Sequence, residues 1–123
     1  MNILGIDYGK KRIGLSWVDT DLGVVLPIGQ IESGNWKTDL VKIAKEDSAD
    51  MFVVGLPLGL DGKENQNTQR VRDFVRELQD LVSLSVEFVD ERFSSRSADA
   101  IGGSVSRDEK SAMVILQSYL DSR

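Results

Sequence analysis

Residues 2–19 read NILGIDYGKKRIGLSWVD, and the way this stretch divides decides the fold. Asn2–Asp7 is a short apolar run that ends in an acid, and Arg12–Asp19 is a second run. Between them, Tyr8-Gly9-Lys10-Lys11 reads as a tight hairpin connection, with Gly9 supplying backbone freedom. A third extended segment, Val24–Glu32 (VVLPIGQIE), follows. Pro27 has no ladder donor, which places that segment at a sheet edge. Three successive strands with short connections make an antiparallel meander.

Beyond the meander the pattern alternates. Asn35 is placed to cap a helix in which Trp36, Leu40, Ile43 and Ala44 recur at helical spacing. Met51–Leu56 (MFVVGL) is a continuous apolar run, as expected of a strand covered on both faces. After the polar loop Gly59–Asn67, Val71, Phe74, Val75, Leu78 and Leu81 form one apolar helical stripe. Arg70, Arg72 and Arg76 are expected on the solvated face of that helix. Ser85–Asp90 is a fifth strand. Ser94 or Ser95 is placed to cap a short helix to about Ile101, Gly102-Gly103-Ser104 breaks it, and a last helix runs from about Arg107 to Leu120. Strands joined through helices become parallel neighbours by right-handed crossovers. The expectation is one α/β domain over residues 1–123, a mixed five-stranded sheet with helices on both faces.

Composition narrows the chemistry. Apolar residues at 41% and charged residues at 28% describe a globular chain. The apolar runs fall short of the roughly 20 residues that cross a bilayer, and neither a membrane partner nor a secretory signal is expected. With no cysteine and no histidine, disulfides, thiolate sites, Ser-His-Asp machinery and imidazole-ligated zinc are excluded. Twenty acids and 15 cations give a net charge of −5. Such a balance disfavours nonspecific coating of nucleic acid but allows a local basic face. Carboxylates bind hard cations such as Mg²⁺ or Mn²⁺.

The acids fall at informative places. Asp7 ends the first strand, Asp90 and Glu91 end the fifth, and Asp108 opens the last helix. Ligands of open α/β sheets gather outside the carboxyl ends of the parallel strands, so Asp7 and the Asp90/Glu91 pair, far apart in sequence, can lie at the same sheet edge. Asp108 shares a helical face with Ala112, Ile115 and Tyr119, and packing of that stripe on the sheet points Asp108 toward the same edge. Singly, Asp7 reads as a turn residue and Asp108 as an acid favoured by the helix dipole. Together, such carboxylates repel unless a divalent cation compensates, and two ions about 3.5–4 Å apart can drive phosphodiester hydrolysis without histidine.

Four blocks of the chain resemble the YqgF (RuvX) family. They are Gly5-Ile6-Asp7-Tyr8-Gly9-Lys10-Lys11-Arg12-Ile13-Gly14, then Val54-Gly55-Leu56-Pro57-Leu58 with Asp61-Gly62, then Val89-Asp90-Glu91-Arg92, and Asp108 with Ile115-Leu116-Gln117-Ser118-Tyr119-Leu120. The resemblance implies a ribonuclease H-like fold in a bacterial cytoplasmic nuclease. That nuclease either resolves Holliday junctions or matures the 5′ end of 16S ribosomal RNA precursor. Residue by residue it implies Asp7, Glu91 and Asp108 as the catalytic, metal-holding acids, with Asp90 in reserve, because strand alternation aims one of the adjacent pair away. Phe93-Ser94-Ser95 and Ser111-Ala112 depart from the family's usual leucine–threonine–threonine and double alanine. The loop Gly102–Arg107, commonly basic in the family, carries one cation here, Arg107.

Lys10, Lys11, Arg12, Arg92 and Arg107 are the candidate contacts to nucleic acid, either rRNA precursor or branched DNA. Alternation along its strand also allows Arg12 a structural role. The loop Gly55–Gly62 lacks the Gly-Lys-Ser/Thr pattern of a nucleotide loop, and Trp17 and Trp36 read as core or interface residues. Two other classes compete. One is a noncatalytic RNA- or ribosome-binding factor. The other is an actin-like ATPase, which needs a second domain that 123 residues cannot supply. The chain is expected to act as a monomer or a homodimer, the latter suiting a resolvase that cuts two symmetric strands.

Overall fold

The computed structural model describes residues 1–90 and 105–122. Strands β1 (Asn2–Asp7), β2 (Arg12–Asp19) and β3 (Val25–Glu32) form the meander. Helix α1 (Trp36–Glu46), strand β4 (Met51–Leu56), helix α2 (Gln66–Leu81), strand β5 (Ser85–Asp90) and helix α3 (Arg107–Asp121) follow. The sheet order is β3-β2-β1-β4-β5, with β1 and β2 antiparallel, β2 and β3 antiparallel, and β1, β4 and β5 parallel. The meander and the two parallel crossovers are as the sequence reading expects. The short helix expected over Ser94–Ile101 lies outside the described residues.

Two cores flank the sheet. Leu4, Ile6, Ile13, Leu15, Phe52, Val54 and Leu56 face α1 and α2, where they meet Trp36, Leu40, Val71, Phe74 and Leu78. Ile3, Val18, Met51 and Val53 face α3 and meet Ile115 and Leu116. All six β4 residues are buried, as their unbroken apolar run requires.

Local chemistry corrects two details. A 3₁₀ turn, Ser33–Asn35, precedes α1, and Asn35 stands at the cap position without a side-chain capping bond. Gly9 does not adopt a left-handed conformation. Glycine suits that position because a Cβ there would lie 2.5 Å from the carbonyl oxygen of Arg12. Pro27 does stand in an edge strand.

Candidate active site

Asp7 is half-buried at the carboxyl end of β1, directly opposite Gly14 of β2. Opposed residues of an antiparallel pair project to the same face of the sheet. A Cβ on Gly14 would fall 1.9 Å from the carbonyl oxygen of Asp108 and 3.0 Å from its Cα. The start of α3 therefore rests on the Gly14 backbone, on the face to which Asp7 projects. Two acids 101 positions apart are thereby placed on either side of Gly14, which has no side chain to hold the helix off.

Four further contacts seat α3. Ser16 donates its buried hydroxyl proton to the Ala112 carbonyl at 2.7 Å. A Cβ on Gly5 would meet Ser16 Oγ at 2.3 Å and Leu116 Cγ at 2.5 Å, so the helix also lies close over β1. Ser106 and Glu109 form a reciprocal capping box at the start of α3. The second carboxylate oxygen of Glu109 accepts the Gly29 N–H at 2.8 Å, where the β2–β3 register shifts. Glu109 is thus committed to the cap and to β3, while its neighbour Asp108 stands at the site. Arg12, on the Gly14 face of β2, donates from Nε to Asp108 Oδ2 at 3.1 Å. That pair favours the structural role that alternation allows Arg12 and orients one carboxylate of the site.

The register separates the two candidates at the end of β5. Asp90 is level with Leu56, which belongs to the core under α1 and α2. Val89 belongs to the core under α3. Asp90 therefore ends its strand on the face opposite Asp7, and the structure does not bring it to Asp108. Glu91 and Arg92 lie outside the described residues. Among the described residues no three acids cluster tightly enough to hold one ion, and two of the three assigned acids, Asp7 and Asp108, are described.

The cations divide as well. Lys10, Lys11 and Arg107 are exposed near the edge. Of the three α2 arginines, Arg70 and Arg76 are exposed as expected, and Arg72 departs from that face. Arg72 is half-buried, donates to both carboxylate oxygens of Glu64 at 2.7 and 3.0 Å, and stacks 5.3 Å from the Phe88 ring centroid. Its hydrogen bond holds the Glu64 carboxyl below the ordinary carboxylate range. Arg76 pairs with Asp73. Arg70 instead lines a cleft of about 220 Å³ with Tyr8, Gly9, Lys10, Pro57, Asn67 and Val71. No spacing along one segment marks this cleft, because Arg70 comes beside Lys10 only through the way α2 is turned against the β1–β2 connection. A larger concavity, about 610 Å³, lies at the opposite end of the sheet between Gly23–Val25 and the outer side of α3 and contains none of the assigned acids.

A family model described as Holliday junction resolvase, RuvX, matches residues 1–122. A curated protein of Rippkaea orientalis named "Putative pre-16S rRNA nuclease" is 35% identical over 135 residues, an alignment spanning 100% of this chain and 97% of that one. Among solved structures, RuvC of Thermus thermophilus in complex with a Holliday junction superposes with a TM-score of 0.69 at 11% identity, covering 98% of this chain and 92% of that chain. The fowlpox virus Holliday junction resolvase superposes at 0.66 and 13% identity, with both chains fully covered. These two likenesses show the fold, which is ribonuclease H-like. No described helix is long and apolar enough to cross a membrane. With the family model spanning nearly the whole sequence and the curated relative matching end to end, the chain belongs to the RuvX family of nucleases, described as Holliday junction resolvases.

Proposed function

We propose that the chain is a divalent-metal-dependent endonuclease of structured nucleic acid, with Asp7, Glu91 and Asp108 holding Mg²⁺ or Mn²⁺. The observation that carries this reading is the apposition of Asp7 and Asp108 across the bare backbone of Gly14. An all-oxygen donor set suits a hard cation. Glu91 completes it in preference to Asp90, which ends β5 on the other face. A divalent ion, when bound, supplies Lewis acidity toward a phosphate oxygen and activation of the attacking water.

The chain's own residues do the rest. Asp7 and Asp108 offer carboxylate oxygens from a strand end and a helix start that are locked to one another, which preorganises them before substrate arrives. Arg12 fixes the orientation of Asp108. Lys10, Lys11, Arg92 and Arg107 are the proposed phosphate contacts, which set register without reading sequence. The natural substrate class is the 16S ribosomal RNA precursor in the cytoplasm. The relative at 35% identity spanning nearly the whole of both chains carries that name, whereas the junction-bound neighbour shares 11%.

The test is a panel of 16S precursor RNA and branched DNA, with Mg²⁺ or Mn²⁺, comparing wild type with Asp7→Asn, Glu91→Gln and Asp108→Asn. Each substitution is expected to slow cleavage by about 100-fold or more, the scale of losing one preorganised electrostatic group. Cleavage that survives all three would reject the assigned acids. Binding without cleavage by wild type, with either ion, would establish a noncatalytic RNA- or ribosome-binding factor instead.

A further inference from the structure

Lys10, Lys11 and Arg12 are consecutive, but they do not act together. Arg12 turns to the α3 face and pairs with Asp108. Lys10 instead lines the cleft on the other side of the sheet edge, with Arg70 across from it. Among the described residues neither Lys10 nor Arg70 forms an ion pair, although Arg72 and Arg76 on the same helix both do. In a chain of net charge −5, two cations left without carboxylates on one small cleft form a local positive site.

The walls of that cleft are held. The Tyr8 ring packs on Phe74 with centroids 4.4 Å apart, and Phe74 meets Trp36 edge-on at 4.7 Å. Pro57 is fixed through its carbonyl, which accepts the Thr68 hydroxyl. Thr68 belongs to the capping box that Asn65 closes at the start of α2. Arg70 donates one N–H to Asn67 Oδ1 at 2.9 Å. A guanidinium has five such donors, so the remainder can serve a ligand. The volume, about 220 Å³, is below the 300–1,000 Å³ common for sites that enclose whole small molecules. It admits a phosphate group whose remaining covalent structure runs outside.

We infer that this cleft binds a backbone phosphate of the nucleic-acid strand that flanks the cleaved bond, with Lys10 and Arg70 as its contacts. The inference rests on the nuclease reading for the identity of the ligand. It adds that substrate is gripped on the α2 side of the sheet edge while the acids work on the α3 side.

Binding of labelled precursor RNA, measured by anisotropy in EDTA over a salt series, tests the cleft apart from cleavage. Arg70→Ala and Lys10→Ala are each expected to weaken binding several-fold and to reduce the log–log salt slope by about 0.7–0.9, one phosphate contact apiece. Arg70→Lys should restore most of the slope, and Arg76→Ala, removing a cation already paired with Asp73, should leave it unchanged. Unaltered affinity and slope in both cleft variants, with wild type binding RNA, would overturn the inference whether or not the protein cuts. Failure of wild type to bind any nucleic acid would overturn the nuclease reading as well. Inorganic phosphate and a mononucleotide, titrated as competitors at fixed ionic strength, separate the two sources of a phosphate group. Displacement of RNA by either at low concentration would mark a free-phosphate site and overturn the assignment to a chain phosphate.

Discussion

The two faces of the sheet meet their helices in different ways. On the α1–α2 side the contact is made by large side chains, including Trp36, Phe52 and Phe74. On the α3 side, near the site, it is made by the near absence of side chains, with Gly5 and Gly14 admitting the helix directly onto the strands. A side-chain layer can absorb change by rotamer shifts, whereas a contact to backbone cannot. The face that carries the acids is therefore the less forgiving one.

Gly14→Ala gives this contrast its severest trial. Its methyl would meet main-chain atoms of Asp108, so α3 must move. Overpacking of this kind costs about 1–3 kcal/mol, occasionally more. A displaced Asp108 should lower cleavage by about 100-fold, and a denaturant melt beside a cleavage assay checks both. Gly5→Ala sharpens the comparison, because the atoms it would crowd belong to the side chains of Ser16 and Leu116. We expect a loss of about 1–2 kcal/mol with most activity retained. Equal damage from the two substitutions would show that backbone contact is not the distinguishing property.

Smaller effects are expected from the polar seats of α3. Ser16→Ala removes the buried bond to the Ala112 carbonyl and should cost about 1 kcal/mol in urea unfolding. Arg12→Ala deletes a partly exposed ion pair with Asp108. It should change stability by less than about 1 kcal/mol, and the difference should shrink in high salt. A larger, salt-independent loss would mean that the arginine supports the fold and not only the orientation of the acid.

The parts of this design that were legible in the sequence are those written in periodicity. The alternation of strands, the unbroken run Met51–Leu56 and the stripe placing Asp108 with Ala112 and Ile115 all follow from spacing along one segment. Glycine contacts were not legible, because Gly14 and Asp108 are 94 positions apart in the chain and a glycine carries no periodic mark of what will rest on it. Arg70 was hidden for a related reason. Its spacing fits a solvated helix face, and only the tertiary placement of the β1–β2 connection distinguishes it from Arg72 and Arg76. The face on which Asp90 ends is set by the β4–β5 register, a property of two strands rather than of one.

The apposition at Gly14 also determines what sets the gauge of the site. Spacing between Asp7 and Asp108 is fixed by the separation of hydrogen-bonded strands, about 4.7–4.9 Å, and by the closest approach of two main chains. Neither quantity depends on which aliphatic residues fill the interior. Volume-conserving exchanges among Ile3, Val53 and Ile115 therefore leave the acids in gauge, provided the bare positions remain bare.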